Sequence, residues 1–594
     1  MKNSYAPRFP SHALGGNGSE FVCSKLNMYC FSTHRNMIVT FAVSALLALQ
    51  AAAETPEDAN CQYAWASLGP SGGDLHIHDG KPGQGAVAWG TFQNDIRFSG
   101  WAFLDLQSNA SYADDVQAYA SGAVEAHLTR DLIEKHYNNM YSRYCDGQSE
   151  YCERLSKFLQ ENIKYSNDQE HLYYSTDPYW HMVHLQMKQL AGLSDHLENK
   201  ELNTSNEYLN VTRALYLNLD GDLMDLEAYL RRVGDENSIF QTNACSVLIK
   251  VLPDNEDILF AHNTWFLYRS MLRIEKKYTF PWHVTSESSE IIPGHTISMP
   301  SYPGKLLSLD DFYIASTGLA ITETSLENNN DSLRNLIKPE NAPLTWVRCM
   351  VATRLAVTGS QWVEYFGKLN SGTLNNQWMV LDYKLFTPGA AIGKDTFWIL
   401  EQMPNTTKTK DVSEYLQNQK YWASYNIPFL PEIFNLSGQP QLVKKYGNYY
   451  SHDMCPRAQL FRREQGKVEN VDSMTALMRY NDYTHDPVSR CNCTPPYNAI
   501  YAISSRYDLL DPEGSYDMPN MARRAVGATD MKLTNYHMSR RLEFIAINGP
   551  TYTNDSSVPP FQWSTSGFQD LHEGHPDKWT FGPTHHRWDS CPNF

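Results

Sequence analysis

The chain has 594 residues, of which 42% are hydrophobic and 12% aromatic, and its formal net charge at pH 7 is −17. This composition is sufficient for a large buried core, and the chain is too long for one ordinary small domain. An acidic surface repels the phosphate backbone of DNA and RNA, so we expect no nucleic-acid partner.

Residues 1–53 are predicted to be a signal or targeting segment. An apolar run at 38–49 follows basic residues and precedes Ala51-Ala52-Ala53, a small-residue cleavage site, so the mature chain would begin at Glu54. The run holds about a dozen residues, which is too few to span a bilayer but typical of the apolar part of a signal peptide.

The first half of the mature chain is predicted to contain strands and then helices. Alternation of apolar and polar residues at 83–106 indicates strands. Helical spacing of apolar residues predicts a helix-rich block at 112–235, with helices near 116–144, 151–165, 179–197 and 208–233. Polar residues at 235–238 then break the pattern and are expected to be exposed.

The second half is predicted to begin with a β-hairpin. Residues 245–251 and 258–265 are apolar and rich in β-branched or aromatic side chains, and a turn-like stretch separates them. Further strands are predicted at 278–284, 312–324 and 378–383, a helix at 342–358, and a loop-rich region from about residue 411. Mixed strands and helices predict a layered α+β fold.

Asparagine sequons support passage through the secretory pathway. Eight Asn-X-Ser/Thr motifs are predicted glycosylation sites, at Asn109, Asn203, Asn210, Asn330, Asn405, Asn435, Asn492 and Asn554. Together with the signal segment they predict a lumenal or secreted glycoprotein.

Cysteine counting predicts a free thiol. Cys23 and Cys30 precede the predicted cleavage site, and nine of the 11 cysteines remain after it. Because an odd number cannot pair completely in an oxidising compartment, at least one thiol must stay outside a disulfide.

Common hydrolase motifs are missing from the sequence, including Gly-X-Ser-X-Gly, the P-loop and His-Glu-X-X-His. His76 and His78 could bind a metal from one strand face, but a polar loop is the favoured interpretation. The pair His585-His586 is a weaker metal candidate. Asp310-Asp311 is interpreted as a solvated turn.

Cys245 is the strongest candidate for chemistry. It opens the first hairpin strand directly after a polar stretch, and His262 lies on the facing strand. A plausible register places both side chains on the same face of the hairpin. The alternative is a buried or disulfide-bonded structural cysteine.

Several long blocks resemble the phospholipase B-like family. They include NACSVLIKVLPDNEDILFAHNTW, SYPGKLLSLDDFYI, NSGTLNNQWMVLDYK, YWASYNIPFLPEIFN, CPRAQLFRR, MRYNDYTHDP and PPFQWSTS, in the family order from about residue 85 to the end. The resemblance implies the N-terminal-nucleophile hydrolase fold, a four-layer αββα sandwich with two stacked antiparallel sheets between helical layers.

The resemblance also implies self-cleavage between Ala244 and Cys245. The Cys245 thiol would attack the Ala244 carbonyl, and hydrolysis of the thioester would free a new α-amine. An α-amine has a pKa of about 7.7–8.0, so it can accept the thiol proton in later turnovers. The mature protein would consist of fragments 54–244 and 245–594, which remain associated in one domain.

Five further side chains receive roles from the resemblance. His262 would orient or activate the thiolate, and Asn426 would donate to the oxyanion of the tetrahedral intermediate. Arg457 would stabilise negative charge near the thiolate or the carboxylate product. Trp265 would form a wall of the substrate pocket and Thr324 its edge.

The resemblance bears on two possible disulfides. It implies a bridge between Cys145 and Cys152, which close a short loop at the end of a predicted helix. Only one residue separates Cys491 from Cys493, one fewer than the family leads us to expect. A bridge that tight would be strained, which argues against a disulfide there.

The implied function is a phospholipase B-like hydrolase of carboxylic esters, which removes acyl chains from phospholipids through a cysteine thioester. It would need no metal or organic cofactor, would contact membrane lipid peripherally, and would act in the lysosome or outside the cell. Two alternatives remain open. One is an N-acyl amide hydrolase, and the other is a catalytically silent lumenal lipid-binding glycoprotein.

Overall fold

The computed structural model describes residues 61–70, 72–234, 238, 244–518, 521–588 and 591. The predicted signal segment and most of the stretch 235–243 lie outside the described residues. Within them the fold is mixed α+β, with 18 strands in two sheets and 16 α-helices. None of the helices described is long and apolar enough to cross a membrane.

The first sheet contains eleven strands. In chain order they are β1 (Gln62–Leu68), β2 (Leu75–Asp79), β3 (Ala86–Asn94), β4 (Trp101–Ser108), β7 (Arg273–Thr279), β8 (Thr296–Ser301), β9 (Tyr313–Ala315), β10 (Leu319–Ser325), β11 (Asn376–Asp382), β12 (Phe397–Met403) and β13 (Thr406–Asp411). The spatial order is β13-β12-β11-β10-β9-β8-β7-β4-β3-β1-β2. All neighbours are antiparallel except β4 and β7, which run parallel.

The second sheet contains seven strands and carries the predicted hairpin. Its strands are β5 (Ala244–Val251), β6 (Ile258–Leu267), β14 (Tyr421–Ser424), β15 (Val526–Ala528), β16 (Asp530–Thr534), β17 (Ile545–Asn548) and β18 (Thr584–His585). The spatial order is β14-β5-β6-β16-β17-β18, and β15 also pairs with β6. Five of the seven strands come from the region that the sequence predicted to be rich in loops.

The helices fall into an early group and a late group. They are α1 (Ile96–Ser99), α2 (Asp114–Tyr141), α3 (Ser149–Tyr173), α4 (Pro178–Leu197), α5 (Arg213–Asn218), α6 (Asp220–Tyr229), α7 (Asp331–Arg334), α8 (Thr345–Leu355), α9 (Gly359–Gly367), α10 (Ser413–Gln419), α11 (Pro431–Leu436), α12 (Gln439–Tyr446), α13 (Pro456–Glu464), α14 (Val471–Met478), α15 (Tyr536–Ser539) and α16 (Trp563–Ser566).

The largest hydrophobic core joins the early helices to one face of the first sheet. Leu190 of α4 and Val347 of α8 belong to it, together with the strand residues Ile274 and Val380. Helices α2 and α4 pack against each other at glycines. A Cβ added at Gly122 would lie 1.9 Å from the Gln189 carbonyl oxygen, so only glycine fits there.

Two further cores lie on the two faces of the second sheet. Val247 of β5 and Met379 of β11 belong to the core between the sheets. Leu248, one residue further along β5, points to the opposite face and packs with Phe461 of α13. Because successive strand residues face opposite sides, odd-numbered residues of β5 point toward the first sheet.

Most of the predicted elements are present, with changed boundaries. The helices predicted near 116–144, 179–197 and 342–358 correspond to α2, α4 and α8, and α3 continues past the predicted end at 165 to Tyr173. The single helix predicted at 208–233 was wrong, since the region forms the two short helices α5 and α6. Leu219 lies between them.

Two interpretations of polar pairs were also wrong. His76 and His78 lie on strand β2 instead of in a loop, and the His78 ring stacks on Trp65 with a centroid distance of 4.2 Å. Asp310 and Asp311 are buried, with relative exposures of 0% and 1%, instead of forming a solvated turn. The partners of His78 and Asp310 lie on other strands, which the local sequence does not reveal.

Three disulfides are present in the described residues. The predicted bridge between Cys145 and Cys152 is confirmed, and Cys61 is joined to Cys591. Cys491 and Cys493 are also joined, contrary to the argument from their spacing. Three other cysteines of the described chain are buried and lie outside any disulfide, namely Cys245, Cys349 and Cys455. This agrees with the odd cysteine count, which requires at least one cysteine without a disulfide partner.

Candidate functional site

The candidate site begins at the hairpin formed by β5 and β6. Asp254 and Asn255 in the turn have φ angles of 55° and 56°, a left-handed conformation that Asp and Asn tolerate better than most residues. The turn sets a register in which Val247 pairs with His262 and Cys245 with Thr264. Cys245 and His262 therefore lie on the same face of the hairpin, as predicted, and that face points toward the first sheet.

A glutamate of the first sheet completes a cluster with these two side chains. The Cys245 thiol donates to Glu323 Oε1 at a Sγ–O distance of 3.7 Å. One donor atom each from Cys245, His262 and Glu323 lies within 4.8 Å of the other two, and all three residues are buried. Among the described residues this group could hold a metal ion, although the buried cations Lys532 and Arg273 nearby disfavour an additional positive charge.

The main chain of Cys245 is held on both sides. Its N–H donates to Asn426 Oδ1 at 3.1 Å, and Asn426 Nδ2 donates in turn to the Ser325 carbonyl at 2.8 Å. Its carbonyl accepts from Arg457 Nη1, while Arg457 Nη2 donates to the Tyr425 carbonyl at 2.8 Å. Asn426 and Arg457 thus fix the peptide group on either side of the nucleophile.

The backbone conformation at position 426 also favours asparagine. Asn426 follows β14 with a φ of 67°, in the left-handed region where asparagine is several-fold enriched among non-glycine residues. The oxyanion role predicted for Asn426 stays a prediction. In the described structure its amide nitrogen donates to Ser325 and its amide oxygen accepts from Cys245.

Trp265 lies behind the nucleophile on the opposite face of the hairpin. Its indole N–H donates to Asn263 Oδ1 at 3.0 Å, and the same oxygen accepts from the Ser246 N–H at 3.1 Å. The guanidinium of Arg457 lies 4.3 Å from the centroid of the Trp265 ring. Trp265 therefore fixes the orientation of Arg457 through a cation–π contact.

A buried ion network supports β6 beside the site. Arg273 Nη2 lies 3.0 Å from Asp530, and Lys532 Nζ lies 2.7 Å from Asp530 and 3.2 Å from Asp310. Arg273 also pairs with Asp310, so two cations balance two carboxylates. Lys532 Nζ and Asp530 Oδ1 both bind Thr264, the residue opposite Cys245 in the hairpin.

Burial sets the protonation of the cluster. It raises the pKa of the Cys245 thiol well above its usual value, as does the Glu323 carboxyl, while Lys532 opposes this. Burial also raises the pKa of Glu323 to about 8, against the hydrogen bond from Cys245 and the charge of Lys532. Burial lowers the pKa of His262 well below its usual value, and Lys532 and Arg273 add to the effect. At neutral pH the three groups therefore rest in their neutral forms.

A cavity of about 220 Å³ lies directly beside Ala244, the residue before the nucleophile. Trp265, Asn426 and Arg457 line it, together with the rings of Tyr425, Tyr449, Tyr450 and Tyr507. Trp265, the predicted pocket wall, is thus brought together with the predicted catalytic residues Asn426 and Arg457 at one cavity, and Ala244, the residue before the predicted cleavage, lies on its wall.

Thr324 occupies a different position from the predicted pocket edge. Its hydroxyl lies 2.6 Å from the Ser424 hydroxyl, which joins β10 of the first sheet to β14 of the second. Thr324 is fully buried and is not among the described residues that line the cavity. Its contacts are those of a residue that holds the two sheets together.

Comparison with known families identifies the family to which the chain belongs. The family model described as Phospholipase B matches residues 88–586 of the chain. The chain belongs to the phospholipase B family. The match includes both sheets except for β1, β2 and the first two residues of β3, and it contains every residue of the cluster around Cys245.

Curated relatives cover nearly the whole chain. The human protein named "Putative phospholipase B-like 2" is 43% identical over 535 residues, which is 88% of this chain and 89% of the relative. A Caenorhabditis elegans protein of the same name is 37% identical over 560 residues, or 94% of this chain and 95% of the relative. The Bos taurus protein named "Phospholipase B-like 1" is 34% identical over 549 residues, or 90% of this chain and 94% of the relative.

Sequence reasoning missed Glu323. It is the one charged residue of β10, a strand that is buried along its whole length. A charged side chain in a buried strand is rare unless it is paired or functional, and that was the available signal. Its neighbour Thr324 received a predicted role only from the family resemblance.

The predicted glycosylation sites lie at or near the surface. Asn210, Asn405, Asn435, Asn492 and Asn554 are exposed, while Asn109, Asn203 and Asn330 are partly buried. The amide nitrogens of those three donate to Ala86, Asp74 and Leu436, respectively. The exposed five are therefore the more accessible acceptors.

Proposed function

We propose that this chain is an acyl hydrolase with the N-terminal-nucleophile fold, which cuts itself between Ala244 and Cys245 and then removes acyl chains from phospholipids. The observation that carries the proposal is the placement of Cys245. Its thiol contacts Glu323 and lies near His262, its main chain is fixed by Asn426 and Arg457, and the peptide before it borders a cavity.

Each turnover would proceed through a thioester on Cys245. The new α-amine would accept the thiol proton while Asn426 Oδ1, which already contacts this nitrogen, holds it in place. The thiolate would attack the acyl carbonyl, the alcohol would leave with a proton from the amine, and water would then release the fatty acid. His262 would keep the thiol on the correct face, and Arg457 would hold the Cys245 carbonyl.

The surrounding charges favour a substrate with an anionic group. Ala228 and Arg524 line the cavity at Ala244 and also a larger cleft of about 820 Å³. Five arginines line this cleft, namely Arg143, Arg232, Arg269, Arg523 and Arg524, against the two carboxylates of Glu227 and Asp570. In a chain with a net charge of −17, such an arginine-rich cleft suits a phosphate group.

We also propose that the protein acts in the lysosome or outside the cell as a glycoprotein. The predicted signal segment, the exposed sequons and the three disulfides support this destination. Peripheral contact with membrane lipid would follow from the substrate class. The two fragments would remain associated because β4 of the first fragment pairs with β7 of the second, and because a disulfide joins Cys61 to Cys591.

The test compares Cys245→Ala with Cys349→Ala, a matched change of a second buried cysteine outside any disulfide. We expect Cys245→Ala to remain one chain and to release no fatty acid from phosphatidylcholine vesicles. Cys349→Ala should give two fragments and release fatty acid. Equal release by wild type and Cys245→Ala would refute the proposal.

The alternative substrate is an N-acyl amide, because the proposed self-cleavage itself breaks an amide bond. An ester and an amide of the same acyl group, each with and without a phosphate group, separate the possibilities. Faster hydrolysis of the phosphate-free amide would replace the phospholipid assignment. A chain that matures but hydrolyses none of the four compounds would favour a lipid-binding role.

A further inference from the structure

The first cleavage needs a proton acceptor that later turnovers do not. Before the chain is cut, the Cys245 nitrogen belongs to a peptide bond and donates to Asn426 Oδ1, so no α-amine exists. The thiol must nevertheless lose its proton, and the peptide nitrogen must gain one before the bond to Ala244 breaks. The need for this proton acceptor arises only if the chain cleaves itself, so the inference rests on the proposed function.

Glu323 is the side chain in contact with the thiol. Its Oε1 accepts from Cys245 Sγ at 3.7 Å. Its Oε2 is buried and has no hydrogen-bond partner among the described residues. Oε1 thus contacts the sulfur that would attack. Oε2 makes none of the hydrogen bonds that usually satisfy a buried carboxyl oxygen.

His262 is the other candidate, and the local charges make it the weaker one. Burial lowers its pKa well below the usual value, so it accepts a proton poorly. The titratable groups that face Glu323 come from several elements. They are Cys245 on β5, His262 on β6, Lys532 on β16, and Asp310 and Asp311 before β9. Burial raises the pKa of Glu323 to about 8, so the carboxyl is protonated at neutral and acidic pH.

We propose that the Glu323 carboxyl, which contacts the Cys245 thiol, relays a proton during self-cleavage from that thiol to the Cys245 nitrogen. Oε1 takes the thiol proton as Sγ bonds to the Ala244 carbonyl carbon. Oε2 gives its own proton to the nitrogen as the carbon–nitrogen bond breaks. The products are a thioester between Ala244 and Cys245, a free amine and a neutral Glu323, and water then hydrolyses the thioester.

This relay has a defined pH dependence. It needs the protonated carboxyl, which prevails below a pKa of about 8 and is lost above it. The rate of self-cleavage should be nearly constant between pH 5 and pH 7 and at least about threefold lower at pH 9. A carboxylate acting as a simple base would give the opposite trend, because its reactive form increases with pH.

The experiment follows self-cleavage of the full chain on reducing denaturing gels, starting from uncut protein, because the Cys61–Cys591 disulfide would otherwise hold the two fragments together. Glu323→Gln keeps the size and the hydrogen-bond acceptor but cannot pass on a proton, so cleavage should slow by at least about 100-fold. Glu323→Asp retains the carboxyl and should recover part of the rate. Glu275→Gln is the matched control, because Glu275 is equally buried in the same sheet and its pKa is also raised by burial.

Folding of each variant is checked by thermal unfolding, and the wild-type pH profile tests the relay without any substitution. A Glu323→Gln chain that cleaves at the wild-type rate, or a wild-type rate that rises between pH 7 and pH 9, would overturn the relay. A wild-type chain that never cleaves would refute the proposed function itself. A chain that cleaves normally but hydrolyses no lipid would leave the relay standing.

Discussion

Replacement of Arg457 by lysine tests how much the site depends on a planar, two-pronged donor. Arg457 bridges the Cys245 and Tyr425 carbonyls and stacks on Trp265, and one ammonium group cannot make all three contacts. Loss of one charged hydrogen bond costs about 1.5–3 kcal/mol, and loss of the stacking adds about 0.5–1 kcal/mol. If the total of about 2–4 kcal/mol falls on the transition state, self-cleavage slows about 30- to 1,000-fold.

The assay is the rate of fragment formation by Arg457→Lys, measured on protein that thermal unfolding shows to be folded. Arg479→Lys is the matched control, because Arg479 also donates to two carbonyls, those of Gly549 and Pro550, at 3.0 and 3.1 Å. Both variants should lose stability, but only Arg457→Lys should lose cleavage rate. If Arg457→Lys formed fragments at the wild-type rate, a positive charge alone would suffice at this position, and this reasoning would be refuted.

Three further changes address other contacts. Asn426→Ala removes the acceptor at the Cys245 nitrogen and should slow fragment formation about 10- to 100-fold, the equivalent of about 1.4–2.7 kcal/mol, in a gel time course; an unchanged rate would contradict its positioning role. Thr324→Val removes the hydrogen bond between the sheets and should lower the free energy of unfolding, measured in urea, by about 1 kcal/mol. An unchanged free energy would show that this hydrogen bond does not stabilise the fold. Replacing both Cys145 and Cys152 by serine should cost about 2–3 kcal/mol in the same assay, and peptide mapping that finds both thiols free in the wild type would exclude the bridge.

The sequence predicted those parts of the site that depend on local structure. The β5–β6 hairpin is formed by neighbouring residues, so its strands and the shared face of Cys245 and His262 could be inferred from alternation and a turn. Long helices such as α2 and α4 were predicted for the same reason. Their ends were less certain, because capping and packing decide where a helix stops.

The parts that depend on distant pairing could not be predicted. Strand β16 has five residues and pairs with β6 across more than 260 positions, which no local pattern reveals. Asp310 was expected in solvent because its partners Arg273 and Lys532 lie far away in the chain. Glu323 was missed for the same reason, since it meets Cys245 only when the two sheets face each other.

The most direct test of the account is peptide mass spectrometry of the purified protein after incubation with a short-chain acyl ester at mildly acidic pH. The account predicts a fragment that begins with Cys245 and carries the acyl group on its thiol. It also predicts a partner fragment that ends at Ala244. A single uncut chain, or a cut at another position with Cys245 unacylated, would contradict it.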